Sequence, residues 1–264
     1  MIHSRQGQYT AGRRNTILEI LNKDGLADVS TLSISLGVSS MTIRNDLAQL
    51  EKKGALIRTH GGALKIDWEN KAEGHSLVSD PQKQAMREKI SIGKKAATLV
   101  NEGDTIIIDS GFAAYELAGN LGHLKDLTVI SNTLNVPTLL AGFPDINIIV
   151  PGGTFHPKTA SLTGAHAVRQ LRKYYCDKLF LDVEGFDVDA GISKSNPEEA
   201  YLSQLMISIS KETIVITDSG KFQKRQLAFI THASKVSTVV TDKNITSDSR
   251  IKLERLGIRV LIAD

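Results

Sequence analysis

With 264 residues, 41% hydrophobic and 23% charged, the chain is long enough for one large or two modest globular domains, and its 5% aromatics leave the core to Ile, Leu, Val and Ala. The lone Cys176 excludes an internal disulfide or a Cys-rich zinc site, and no apolar run approaches the ~18 residues that span a bilayer. The net charge of +3 is uneven, since residues 1–66 hold nine Lys/Arg against five Asp/Glu and the remainder is close to neutral, which points to a polyanionic partner for the first segment alone.

In chain order, Gly12–Lys23 reads as a helix with Ile17, Leu18 and Leu21 on one face, broken by Gly25. Asp28 caps a second helix reaching about Leu36. After the tight Gly37-Val38 connection, Ser39 caps a third helix to Lys53, with Ile43, Leu47 and Leu50 as its buried stripe. Residues 55–66 read as two short strands around Gly61-Gly62, so three helices and a hairpin make a winged helix-turn-helix over residues 1–66. Residues 67–80 are polar and read as a linker. From Pro81 a long helix runs to about Asn101.

Thereafter short apolar runs alternate with helical stretches. The runs are 105–108, 127–130, 146–150, 178–181, 213–216, 236–240 and 259–262; the helices are 113–121, 134–140, 165–173, 197–210 and 247–255. Near-continuous apolar strands separated by helices predict a mostly parallel sheet covered on both faces, an α/β domain over residues 81–264.

If Ile43, Leu47 and Leu50 face inward, the helical repeat turns Met41 and Asn45 outward, flanked by Thr42 and Arg44, with Ser39 and Ser40 at the N-terminus. A helix-turn-helix presents those positions to base edges in the major groove of double-stranded DNA, where Arg pairs with guanine and Asn with adenine. Arg58 and His60 in the hairpin suit phosphates. In the second domain, polar or glycine-bearing turns follow successive strands: Asp109-Ser110-Gly111, Ser131-Asn132, Gly152-Gly153 and Asp218-Ser219-Gly220-Lys221. Such turns converge on the carboxyl edge of a parallel sheet, the place where open α/β sheets bind ligands.

Val38-Ser39-Ser40-Met41-Thr42-Ile43-Arg44-Asn45-Asp46-Leu47, then Leu50-Glu51, Gly54 and Arg58-Thr59-His60-Gly61-Gly62-Ala63, resemble the DeoR family of bacterial sugar-metabolism regulators. The resemblance runs from about Arg13 to the C-terminus. It implies a sensor domain with a fold similar to ribose-5-phosphate isomerase that recognises a phosphorylated sugar. Its turns are matched by Asp109–Gly111, Ser131-Asn132, Gly152-Gly153, Gly185 with Asp187 and Gly191, and Asp218-Ser219 with Lys221. The stretch 191–200 is most similar to repressors of amino-sugar (N-acetylgalactosamine) operons. Three departures stand out. Asn45 replaces a second Arg, Phe112-Ala113-Ala114 replace hydroxyl-bearing threonines, and Asp182 replaces a glycine, bringing a carboxylate that would repel a second anion or bind sugar hydroxyls or an amine.

The expected effector residues are Asp109, Ser110, Gly111, Ser131, Asn132, Gly152, Gly153, Glu184, Asp187 and Lys221, with no cofactor, metal or catalytic group. The expected protein is a cytoplasmic transcriptional regulator, a homo-oligomer (dimer or tetramer) that represses a carbohydrate-catabolism operon. The start Met1-Ile2-His3-Ser4-Arg5-Gln6 carries no apolar signal segment, in keeping with that location. The alternatives are an isomerase-like enzyme using Asp109, Glu184, Asp187 and Glu199 with Lys221 holding an anion, or an activator with a degenerate sensor.

Overall fold

A computed structural model describes residues 10, 12–21, 26–52, 55–58, 61–65, 81–157 and 159–264. The chain divides into two compact units, Met1–Gln84 and Ala85–Asp264. The expected linker at 67–80 and the recognition candidate His60 lie outside the described residues.

In the first unit, helix α1 (12–21) is followed by strand β1 (Leu26–Asp28), helices α2 (Val29–Leu36) and α3 (Ser40–Lys52), and strands β2 (Leu56–Arg58) and β3 (Gly62–Lys65). Asp28 caps α2 by accepting from the Thr31 amide, and Gly37 ends it in the left-handed conformation at φ 63°, as its lack of a Cβ permits. Ile17, Leu21, Leu32, Ile43, Leu47, Leu50 and Leu56 close one core. Each contributes on the order of 1.5–3 kcal/mol by leaving water. The sheet order β1-β3-β2 adds a strand to the expected hairpin. Three residues are too few to display alternation, so β1 left no mark in the sequence. It packs so closely on β3 that a methyl group on Gly62 would strike the Ala27 carbonyl.

The second unit begins in α4 (Pro81–Ala97) and continues through β4 (Thr105–Ile108), α5 (Phe112–Gly119), β5 (Leu127–Ser131), α6 (Asn135–Leu140) and β6 (Ile146–Ile149). A hairpin, β7 (Thr154–His156) and β8 (Ser161–Thr163), leads to α7 (Gly164–Leu171) and β9 (Cys176–Leu181). Then come β10 (Gly185–Asp187), β11 (Gly191–Lys194), α8 (Pro197–Ser208), β12 (Ser210–Ile216), β13 (Ala228–Thr231), β14 (Thr238–Asp242), α9 (Ser247–Arg255) and β15 (Arg259–Ala263).

All seven expected strands form one parallel sheet in the order β15-β14-β12-β9-β4-β5-β6. Successive side chains point to opposite faces, which is why nearly every residue of each run is apolar. Ile106, Ile108, Phe180, Ile214 and Ile216 pack beneath α4, α5 and α6, while Ile107, Leu179, Leu181, Val215 and Val239 pack beneath α7, α8 and α9. Ala113 and Ala114, where the resemblance expects threonines, are buried in the first of these clusters. A small antiparallel sheet, β10-β11-β13, was not expected. No helix among the described residues is long and apolar enough to cross a membrane.

Candidate functional site

In the first unit α3 divides as its periodicity predicts. Ile43, Leu47 and Leu50 are buried, Met41 is 63% exposed, Asn45 is exposed, and Thr42, Arg44 and Ser40 are half-buried. Ser39 is exposed and caps the helix, its Oγ accepting from the Thr42 amide at 3.2 Å. Arg44 and Asn45 are thus free to meet an external partner. Arg58 is exposed but partly engaged, with its guanidinium 3.7 Å from the Glu51 carboxylate.

A fourth residue shares the inner stripe of α3 that sequence reasoning left without a role. Asp46 is buried, with one carboxylate oxygen 2.6 Å from Arg13 Nε and the other 2.7 Å from Arg14 Nε. The two arginines belong to α1, so this double pair ties the outward-facing helix to the helix behind it. The signal was present in the sequence as an acid three residues after Ile43, on the buried side of the repeat, opposite an Arg-Arg pair.

In the second unit, Asp109–Gly111 follow β4, Ser131-Asn132 end β5, Gly152-Gly153 follow β6, Glu184 follows β9 and Lys221 follows β12. These five strands are neighbours, so their carboxyl ends form one continuous edge. Ser131 Oγ donates to the Ile108 carbonyl at 2.7 Å and so locks two of the turns together. Ser110 and Asn132 are buried beside them, and the Asn132 Oδ1 has no hydrogen-bond partner among the described residues. Gly153 (φ 126°) approaches the Thr163 carbonyl too closely for a side chain, which draws the β7–β8 hairpin onto this edge. Glu184 accepts from the Ser195 amide at 2.9 Å.

The residues at the centre of this edge were not all foreseen. Buried Lys194, on β11, places its ammonium 2.6 Å from the Asp109 carboxylate. Burial alone would lower its pKa, but the charge and hydrogen bond of Asp109, with Asp182 and Glu199 nearby, raise it. Glu199 is buried as well, accepting from Thr159 at 2.7 Å and Ser161 at 2.8 Å. Asp182 lies against Gly111, and burial pushes its carboxyl up to about 7 despite the opposing pull of Lys194, Lys221 and Lys89. Asp187 plays a different part. It accepts from the Asp189 and Ala190 amides and pairs with Arg225 at 2.7 Å, which closes the β10–β11 turn and holds its carboxyl below the usual range. Among the described residues, no group of three or more His, Cys, Asp or Glu side chains is placed to hold a metal.

Comparison with known proteins matches residues 13–68 to the DeoR-like helix-turn-helix domain and residues 84–243 to the DeoR C-terminal sensor domain. A protein of Escherichia coli O157:H7, named for repression of the aga operon, is 34% identical over 96% of this chain and 94% of its own length. The Bacillus subtilis regulator YulB is 36% identical over 95% of each chain. Among solved structures, ribose 5-phosphate isomerase A of Neisseria gonorrhoeae aligns at a TM-score of 0.40 over 53% of this chain and 55% of that chain, with 16% identity, too slight a likeness to bear on function.

Proposed function

Because the chain belongs to the DeoR family, we propose that it is a transcriptional repressor of a carbohydrate-catabolism operon, released from its operator by a sugar-derived effector such as a phosphorylated sugar. The observation that carries this reading is the pairing, in one chain, of a half-buried Arg44 and an exposed Asn45 on the outer side of α3 with a charged cluster at the carboxyl edge of a parallel sheet. Ser39, Ser40, Met41, Thr42, Arg44 and Asn45 would meet base edges, and Arg58 a phosphate. Asp109, Ser110, Asn132, Glu184 and Lys221, with Lys194 added, would surround the effector.

The relative named for the aga operon supports an amino-sugar pathway. The family supports a regulator over the isomerase-like alternative, and a protein that reads operator DNA works in the cytoplasm. A helix-turn-helix that reads two-fold half-sites does so as at least a dimer, the state this reading assigns to the chain. Effector binding must favour one conformation of the sensor, and so shift how two winged helices are spaced.

Fluorescence-anisotropy binding of the full chain to its own upstream DNA, with and without a panel of free and phosphorylated sugars, tests the reading. Tight binding released by one sugar is expected; equal operator affinity with every sugar would overturn effector control.

A further inference from the structure

Helix α5 starts at Gly111 (φ 140°) with no side chain capping its first amides. Its positive end therefore favours an anion. A carboxylate lies beside that end without capping it. Asp182, the residue after β9, lies so close that a methyl group on Gly111 would run into its carboxylate. Asp182 accepts no hydrogen bond from the described residues, and its charged neighbours act on it through space alone. Those neighbours are Lys194 from β11, Asp109 from the end of β4, Lys221 from the turn after β12 and Lys89 from α4. Lys194 is engaged by Asp109 at 2.6 Å, and Lys89 lies 4.0 Å from Asp218. At the end of the neighbouring strand β5, the buried Asn132 Oδ1 has no partner among the described residues, a polar atom that a ligand reaching this edge could satisfy.

We propose that Asp182 is a specificity-determining residue of the effector site: an internal anion, seated where a ligand's phosphate or carboxylate would sit, that admits such a group only after taking up a proton itself. The proposal rests on the reading of this edge as the effector site. Two anions at one helix end repel, so one must be neutralised. Asp182 is the group able to yield, because Asp109 is fixed on Lys194 while burial has already brought the Asp182 carboxyl to about 7. The apparent affinity for an anion then scales with the protonated fraction of Asp182, roughly nine-tenths at pH 6 and one-tenth at pH 8.

Sulfate is a suitable probe, since it does not itself titrate in this range. Calorimetric titration of the full chain should show sulfate binding about tenfold tighter at pH 6 than at pH 8. At pH 8, paired buffers of different ionisation enthalpy should report uptake of about one proton per sulfate. Asp182→Asn should bind sulfate at pH 8 as tightly as the parent does at pH 6, with no pH dependence. Sulfate affinity in the parent that is unchanged between pH 6 and 8, or binding without proton uptake, would overturn the proposal; so would an Asp182→Asn chain that folds but ignores sulfate. Operator binding measured on the same samples without ligand tests the regulatory reading separately. Its loss would sink that reading while leaving the sulfate result interpretable.

Discussion

Both units bury acids against bases, but they balance them differently. In the first, a single carboxylate, Asp46, meets two guanidinium groups, and each oxygen has its own partner at 2.6 or 2.7 Å. In the second, one buried ammonium, Lys194, faces three acids: Asp109 in contact, Glu199 satisfied by two hydroxyls, and Asp182 with no donor among the described residues. A cluster whose acid is fully paired fixes a geometry. A cluster with an acid left over has two protonation states of similar free energy, and so can respond to what binds it. The contrast matches the work proposed for each unit, since the DNA-reading helix must be held still and the sensor must have something to change.

The comparison breaks most visibly at Lys194. Lys194→Met should leave Asp109 buried without a counter-charge and destabilise the sensor unit by roughly 3–5 kcal/mol, read as an early transition in urea unfolding of the full chain. An unaltered transition would mean that Asp109 does not depend on this pair. Next comes Asp46→Ala, which strands two arginines. They retain about a fifth of their side-chain surface in water, so the expected cost is lower, about 2–4 kcal/mol, and confined to the first unit. Operator affinity should fall with it. Asp46→Ala binding DNA as the parent does would show that the tie between α1 and α3 is dispensable.

Neither pair was read from the sequence, and the reason is the same in both. Lys and Asp are expected at the surface, so burial of a charge is invisible until its partner is located. Arg13 and Asp46 are 33 residues apart, Asp109 and Lys194 85. By contrast the seven sheet strands were legible because burial on both faces makes them apolar throughout. The carboxyl-edge turns at Asp109, Ser131 and Gly152 follow from those strands. The β10-β11-β13 sheet escaped because its strands are only three or four residues long and carry Asp187 and Lys194 among apolar neighbours. Asp187 itself was grouped with the effector residues on family pattern, whereas its bonds in the fold are those of a turn.

Arg44 sharpens the comparison from the other side. It sits two residues from Asp46 on α3, yet it is half-exposed and makes no ion pair among the described residues. Arg44→Ala should therefore leave the melting temperature nearly unchanged while costing ~1–3 kcal/mol of discrimination between operator and scrambled DNA. Competition anisotropy reads that ratio. An unchanged ratio would move base recognition away from this face, whereas a fall in stability would place Arg44 with Asp46 as part of the scaffold.

The smallest effect expected is also the most direct measure of the unbalanced acid. An Asp carboxyl that titrates at 3.8 when exposed and at about 7 in the fold is protonated more readily in the native state. Its folding contribution is therefore most favourable below pH 4, is lost progressively as pH rises to 7, and is constant above that. Asp182→Asn removes this dependence. Between pH 5 and pH 8 the ligand-free parent should lose stability relative to the variant by ~1–2 kcal/mol, a figure reduced for the water that reaches a half-buried carboxyl. Differential scanning calorimetry at the two pH values would show it as a gap between parent and variant that widens by a few degrees at the higher pH. Parallel curves for parent and variant would mean that Asp182 is held as firmly as Asp46, and the contrast between the two clusters would be one of composition alone.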